Sequence, residues 1–377
     1  MDATDSNASP YRLVVSGYYG FNNLGDELIL RVLAQQCQQR GYHLTALSQD
    51  PAHTAAAYGI EAVPRLSLRA ISKALWHAHL FISGGGGLFQ DATGLGSPVY
   101  YGGLIHWAKL LSVPVFFWSQ GVGPLTHPVS QAWAGSALRA SSAITVRDEA
   151  SAQLAAKLRG EPNAVPIETT ADPVWLLEMP QATHPQVGTD TFNIGLSLRA
   201  WPTLTPDRVD ALVQVWKQWI PQQETTRHQA ARVLLMPFQP SQDRGVLEAV
   251  AQGLAQAGLG DRVVWIEPEE ILTTIGLCHV MVGMRFHSVI LALLTGVPVY
   301  AVAYDPKVSA LMTQLGLNGA AVEALDEATW QAAMASLTMS PALPDLTPLK
   351  AQAEGNFQRI DALLAAHRKG MVEPNHG

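Results

Sequence analysis

Val280-Met281-Val282-Gly283-Met284-Arg285-Phe286-His287-Ser288 is an apolar run that stops at a glycine, presents an arginine, a histidine and a serine, and turns apolar again. The run reads as a buried strand, and its polar exit as the edge where α/β proteins gather ligand-binding groups. On either side, Pro268 to Cys278 has helical spacing, Ser288 to Thr295 is a short apolar helix, and Val297 to Ala303 is a further strand. Strand, helix and strand in that order make a crossover unit of a parallel sheet. Arg285 brings a permanent cation with a planar donor fork, and His287 a group that exchanges protons near neutral pH. Together they suggest anion chemistry, while a core pair held by backbone carbonyls is the plainer alternative.

The same alternation extends outward. Upstream, strands at Phe192 to Leu198, Ala231 to Pro237 and Val263 to Ile266 alternate with helices at Pro206 to Trp219 and Asp243 to Ala257. A first half repeats the pattern, with strands at Leu13 to Ser16, His43 to Ser48, Leu80 to Ser83, Val113 to Ser119 and Ala143 to Val146. Helices near Asp26 to Arg40, Ala70 to Ala78, Tyr101 to Leu111 and Ser130 to Ala140 lie between them. From Glu178 to Thr191 the pattern weakens around Pro180, Pro185 and Gly188 and reads as a linker. The expectation is two separately wound α/β halves with parallel sheets and a ligand cleft between them. A last helix, Lys350 to His367, follows the proline-rich Pro341 to Pro348, and its packing is not set by sequence.

Length and composition agree with this reading. The 377 residues suffice for two domains, and 48% hydrophobic with 15% charged residues is a globular balance. Cys37 and Cys278 are far apart and lack a CxxC neighbour, which fits a reducing compartment and offers no zinc or disulfide framework. Met1 to Pro10 has neither a basic start nor an apolar core, so no secretory signal is expected. The longest apolar stretch, Phe286 to Tyr304, is broken by His287, Gly296 and Pro298, which argues against a membrane span. A net charge of −7 argues against a nucleic-acid partner, so any anion must be met by local cations.

Glycine-rich turns follow several strands. Gly17-Tyr18-Tyr19-Gly20-Phe21-Asn22-Asn23-Leu24-Gly25-Asp26-Glu27 leads into a helix whose start offers unpaired N–H groups. It is neither GxGxxG nor a Walker loop. Asp26 and Glu27 read as partners of the helix dipole in the first turn, and Asp26 alternatively as a site residue. Ser83-Gly84-Gly85-Gly86-Gly87-Leu88-Phe89-Gln90-Asp91 brings bare backbone, Gly85 and Gly86 included, to the end of a strand. Ser119-Gln120-Gly121-Val122-Gly123-Pro124 adds Gln120 at the lip of the next. Arg147 ends the strand before Asp148, as an anion clamp or as half of a surface pair at a helix cap. Arg199 and Lys307 also follow strands and are further candidates for anion contacts.

This ordered set, closed by Gly283-Met284-Arg285-Phe286-His287-Ser288, resembles the polysaccharide pyruvyl transferase family, in particular its CsaB-like members, from about residue 12 to 320. The resemblance implies a GT-B-like fold of two Rossmann-like domains, placed here at residues 11–180 and 191–345, with a C-terminal helix at 350–368. It implies transfer of a pyruvyl group from phosphoenolpyruvate onto a sugar as a ketal, with His287 as catalytic acid/base and Asp26 at the reacting site. By the resemblance Arg147 and Arg285 would hold the donor; from their own positions after strands and in the glycine turns, Arg199 and Lys307 are read as further anion contacts and Asn23, Gly85, Gly86, Gln120 and Ser288 as the rest of the binding surface. No cofactor and no metal is expected, phosphoenolpyruvate being a substrate. The acceptor implied is a cell-surface polysaccharide or its lipid-linked precursor, handled in the cytoplasm with at most peripheral membrane contact.

Two other classes compete. A nucleotide-sugar glycosyltransferase of the same architecture would want a carboxylate for the donor ribose, and Gly283 to Tyr304 has none. A non-catalytic protein retaining a polysaccharide precursor is the other. Trp201, Trp216 and Trp219 offer sugar-stacking surfaces, although the Trp216 and Trp219 spacing favours one buried helix face.

Overall fold

The computed structural model describes residues 11–91, 94–160, 165–339 and 342–372. The polar segment Met1 to Pro10 and Pro341 of the proline-rich stretch lie outside the described residues. The chain forms two compact units. One takes the chain up to Leu177 and resumes at Thr347; the other is Glu178–Leu346.

In the first unit the order is β1 (Arg12–Ser16), α1 (Leu24–Gln39), β2 (His43–Ser48), α2 (Pro51–Tyr58), β3 (Glu61–Pro64), α3 (Leu68–Trp76), β4 (Leu80–Ser83) and β5 (Gly86–Phe89). Next come α4 (Gly96–Leu110), β6 (Val115–Val122), α5 (Pro128–Ala140), β7 (Ala143–Val146), α6 (Glu149–Arg159) and β8 (Ile167–Thr169). The sheet order is β3-β2-β1-β4-β6-β7-β8, with β5 also paired to β6, and the pairings are parallel. Gly86 to Phe89, expected as loop, is therefore strand, because Gly86 pairs with Gln120 and Phe89 with Val122 across the register shift that the glycines permit.

The second unit contains β9 (Phe192–Ser197), α7 (Pro206–Arg227), β10 (Ala231–Leu235), α8 (Pro240–Gln256), β11 (Val263–Trp265), α9 (Ile271–Thr274) and β12 (Val280–Gly283). It continues with α10 (Phe286–Leu294), β13 (Val299–Ala303), α11 (Pro306–Leu315), β14 (Gly319–Ala321) and α12 (Glu327–Thr338). Its parallel sheet runs β11-β10-β9-β12-β13-β14, the nucleotide-fold order in which the winding reverses between β9 and β12. The single helix expected over Pro268 to Cys278 is instead the four-residue α9 flanked by 3-10 turns. Trp216 and Trp219 are buried in this core, as their spacing suggested. Glu178 to Thr191, the stretch read as a linker, packs on this unit, with the Thr183 N–H donating to the Thr273 carbonyl at 2.7 Å.

The last helix, α13 (Thr347–Val372), belongs to the first unit. Leu349, Ala353, Phe357, Ile360 and Leu364 form its buried stripe. Asn356 is fully buried in that stripe, its amide donating to the Ala171 carbonyl and its Oδ1 accepting from Thr170. Among the described residues no helix is long and apolar enough to cross a membrane.

Candidate active site

In each unit the chain leaves two adjacent central strands in opposite directions, β1 and β4 in the first and β9 and β12 in the second. The carboxyl ends of such strands open a crevice. The residues singled out from sequence lie on these two edges.

In the first unit Asn23 caps α1, its Oδ1 accepting from the Gly25 N–H at 3.2 Å, while its Nδ2 donates to Asp26 Oδ2 at 2.5 Å. Asp26 is thus oriented in the first helical turn. Its other oxygen lies 2.7 Å from where a side-chain carbon on Gly86 would sit, and Gly86 has φ +95°. Only glycine meets both conditions, so Gly86 and Asp26 are fitted to each other. Glu27 instead pins the glycine loop, its carboxylate accepting from the Gly20 N–H and from the Tyr58 hydroxyl, both at 2.7 Å. Gly85 is buried against Ile29, and the buried Gln120 amide donates to the Ser83 carbonyl and hydroxyl, tying β6 to β4.

Arg147 stands at the end of β7 with its guanidinium lying across Gly121, where any side chain would collide with it. Asp148 at 3.6 Å and Asp172 at 3.5 Å flank the guanidinium. Both carboxylates also cap the turns that follow them, accepting from Ser151 N–H and Val174 N–H. Asp172 is nearly fully buried. Arg147 is therefore a guanidinium with a buried side chain, held between two carboxylates that leave one negative charge in excess, and its direction is set by two capped turns.

The second unit gathers three of the predicted cations. Arg285, at the exit of β12, is buried, and its Nε and Nη2 reach the fully buried carboxylate of Asp243 on α8. Burial lifts the Asp243 carboxyl above its usual range against the pull of Arg285. Arg285 Nη2 also donates to Gln242 Oε1 at 3.1 Å, and Arg199 Nη2 donates to the same oxygen at 2.8 Å. Gln242 thereby bridges the two guanidinium groups. Arg199 lies over the rings of Trp201 and Tyr304, at 5.0 and 4.9 Å, and its Nη1 donates to the Tyr304 hydroxyl at 3.3 Å. Lys307 is also close, its Nζ 5.7 Å from the Tyr304 ring centre and 3.3 Å from Asp305. Burial opposes ionisation of the Tyr304 phenol, but Lys307, Arg199 and Arg285 outweigh it, and the phenol titrates below its ordinary value of 10.0. Against Arg199, Arg285 and Lys307 stand Asp243 and Asp305, which leaves one positive charge in excess on this edge.

His287 stands in the first turn of α10, partly buried, with its ring edge-on to Phe286 at 5.3 Å. Ser288 is fully buried and its hydroxyl donates to the Arg285 carbonyl at 2.7 Å, so it holds the turn that presents Arg285 and His287. The structure thus brings Asp26, Asn23, Gly85, Gly86 and Gln120 to one sheet edge, with Arg147 two strands away from β4, and brings Arg199, Arg285 and Lys307 to the other. Tyr304, Gln242 and Asp243 were not assigned from sequence. Their signal was position, since Phe238 to Asp243 and Tyr304 to Lys307 both follow strands.

A comparison with curated protein sequences finds no match. Among solved structures, HepE from Anabaena, in complex with UDP and glucose, is similar over 94% of this chain and 100% of its own, with a TM-score of 0.59 at 14% identity. A putative UDP-N-acetylglucosamine 2-epimerase from Listeria monocytogenes gives a TM-score of 0.64 at 12% identity, covering 96% of this chain and 98% of its own. UDP-GlcNAc 2-epimerase from Methanocaldococcus jannaschii gives 0.61 at 11% identity, covering 94% and 100%. These likenesses show the fold, two Rossmann-like α/β units of GT-B type. The family model of polysaccharide pyruvyl transferase matches residues 23–306, which takes in Asn23 and Asp26 at the start of α1, the glycine turns after β4 and β6, Arg147 and the Arg285 segment, and the chain belongs to that family.

Proposed function

We propose that the protein transfers the pyruvyl group of phosphoenolpyruvate onto a sugar of a polysaccharide or its precursor, as a cyclic ketal with release of phosphate. The observation that carries this reading is the cluster of Arg199, Arg285 and Lys307 around Tyr304 at the carboxyl edge of the second sheet. A small donor bearing both phosphate and carboxylate calls for several cations on a short span, and planar guanidinium groups suit both anions.

The methylene carbon of the donor takes a proton and becomes methyl, and one sugar hydroxyl adds to the adjacent cationic carbon while losing its proton. A second hydroxyl of the same acceptor then attacks that carbon, the carbon–oxygen bond to phosphate breaks, and the second hydroxyl proton leaves with phosphate as the hydrogen phosphate dianion. His287, placed by the turn that Ser288 closes, exchanges protons with hydroxyl and phosphate. Asp26, held by Asn23 and Gly86, orients or deprotonates the acceptor. Arg147 is a weaker second anion contact, since Asp148 and Asp172 already offset its charge.

The rival reading is transfer from a nucleotide sugar, since HepE and an S. aureus MnaA, both of this fold, were solved with UDP. On this chain the cation cluster favours the compact anionic donor. The test is incubation with phosphoenolpyruvate and a panel of sugar acceptors, following phosphate and the product by mass spectrometry. Phosphate release that requires an acceptor, with a pyruvyl mass increment on the sugar, is expected; a nucleotide product from a nucleotide sugar, with no pyruvyl product, contradicts the proposal. His287→Ala is expected to lose about 10²–10⁴-fold in kcat while keeping its circular dichroism spectrum.

A further inference from the structure

The formal charge of −7 is not spread evenly along the chain. From Ala62 to Val146 there is one carboxylate, Asp91, against five cations, Arg65, Arg69, Lys73, Lys109 and Arg139. This segment supplies α3, α4 and α5, which cover one face of the first sheet: Ile71, Leu75, Tyr101, Leu104, Ala134 and Leu138 all bury into the same cluster. Asp91 is occupied at a loop, accepting from the N–H groups of Thr126 and His127.

The outer side of these helices is unusual in a second, independent respect. Nine large hydrophobic side chains are exposed among the described residues, and seven of them lie in this segment. The most open are Leu66 at 69%, Leu68 at 67%, Trp76 at 73% and Leu110 at 81%. On α3 the buried stripe is Ile71 and Leu75, and the opposite side carries Arg69, Lys73 and Trp76, spaced four and three residues apart on one helical face. Trp76 shortly precedes β4, and Leu110 with the exposed Lys109 shortly precedes β6. Because β4 and β6 are hydrogen-bonded neighbours, Trp76, Lys109 and Leu110 lie toward the amino edge of the sheet, whereas Leu66 and Leu68, just after β3, lie toward its carboxyl edge at the other end of α3.

We propose that this α3–α4–α5 face docks the protein on a membrane containing anionic phospholipid. An exposed tryptophan and leucines interleaved with cations, on helices without carboxylates, match the interfacial pattern in which apolar groups enter the acyl boundary and cations meet headgroup phosphates. A soluble polyanion would match the cations but leave Leu66, Leu68 and Leu110 in water. The inference stands apart from the donor assignment, since vesicle binding needs no phosphoenolpyruvate.

The experiment is co-sedimentation of the full chain with vesicles of phosphatidylglycerol and phosphatidylcholine, against vesicles of phosphatidylcholine alone. Binding to the anionic vesicles, its weakening by salt, and little binding to the neutral ones are expected. Arg69→Gln with Lys73→Gln should lower partitioning by about tenfold or more. Leu66→Ser, Leu68→Ser and Trp76→Ser together should do the same. Met339→Ser, an exposed hydrophobic of the second unit, should leave partitioning unchanged, and thermal melts check that every variant is folded. Equal binding to both vesicle types, no binding to either, or binding that both sets of substitutions leave intact would overturn the proposal. So would sedimentation velocity showing that the same substitutions abolish only self-association.

Discussion

At the scale of single residues, Tyr304 ties the electrostatics of the cation cluster to a measurable pH dependence. Three cations hold its phenol below the ordinary value of 10.0 despite burial. The phenolate is thus favoured in the folded state, so the contribution of Tyr304 to stability is full above pH 10 and fades as pH falls through the lowered pKa. Donor affinity moves in the opposite sense, because a phenolate among Arg199, Arg285 and Lys307 competes with an incoming anion. Affinity for phosphoenolpyruvate should therefore decline with rising pH before pH 10 is reached, and Tyr304→Phe should extend the plateau to more alkaline pH, as read by titration calorimetry across that range. An unchanged alkaline limb in Tyr304→Phe would detach this residue from donor binding. At this scale the cations were legible because arginine and lysine after a strand stand out, whereas Tyr304 and Gln242 look ordinary until the fold puts them between those cations.

Among elements, the strand-to-helix turns carry the site. Gly86 illustrates how tightly: its positive φ and the Asp26 carboxylate beside it leave no room for a side chain. Gly86→Ala is expected to cost about 1–3 kcal/mol of stability through backbone strain. It should also displace Asp26, so that turnover falls by more than the loss of folded protein measured by thermal melting accounts for. Turnover falling only in step with folded fraction would free Asp26 from the role proposed. Long central strands and amphipathic helices were readable from period and turn residues, and β2, β4 and β7 have the bounds expected. Helices α11 and α12 went unread although α12 buries Trp330, Ala333, Met334 and Leu337 at helical spacing; several other elements not anticipated have physical reasons. α2 buries only Thr54, α6 only Ser151 and Ala155, and β3, β8 and β14 are short sheet-edge or half-buried strands, so none shows a strong apolar period. β5 escaped notice because glycines opening a strand read as a loop.

For the molecule as a whole, the return of α13 to the first unit is a long-range feature that local pattern could not reveal. Its amphipathic stripe announces a helix that must be covered, and nothing in the stripe says by which unit. Phe357 is the anchor, fully buried with its ring 5.8 Å from that of Trp118 on β6. Phe357→Ala should destabilise the first unit by about 3–5 kcal/mol. Hydrogen exchange checks this: amides of β6 should lose protection while those around Trp216 in the second unit keep it, and loss of protection in β6 failing to appear would refute the assignment. Net charge is likewise a whole-chain average, and it hid the carboxylate-poor face of α3, α4 and α5, which only the grouping of those helices on one core cluster exposes. The central claim, that the cations around Tyr304 receive phosphoenolpyruvate, is tested most directly by calorimetric titration of that compound into the native chain and into Arg199→Gln with Lys307→Gln, with UDP as competitor. Binding to the native chain that the double substitution abolishes and UDP does not displace is expected; binding untouched by the substitutions, or a site that takes UDP and not phosphoenolpyruvate, would contradict that assignment.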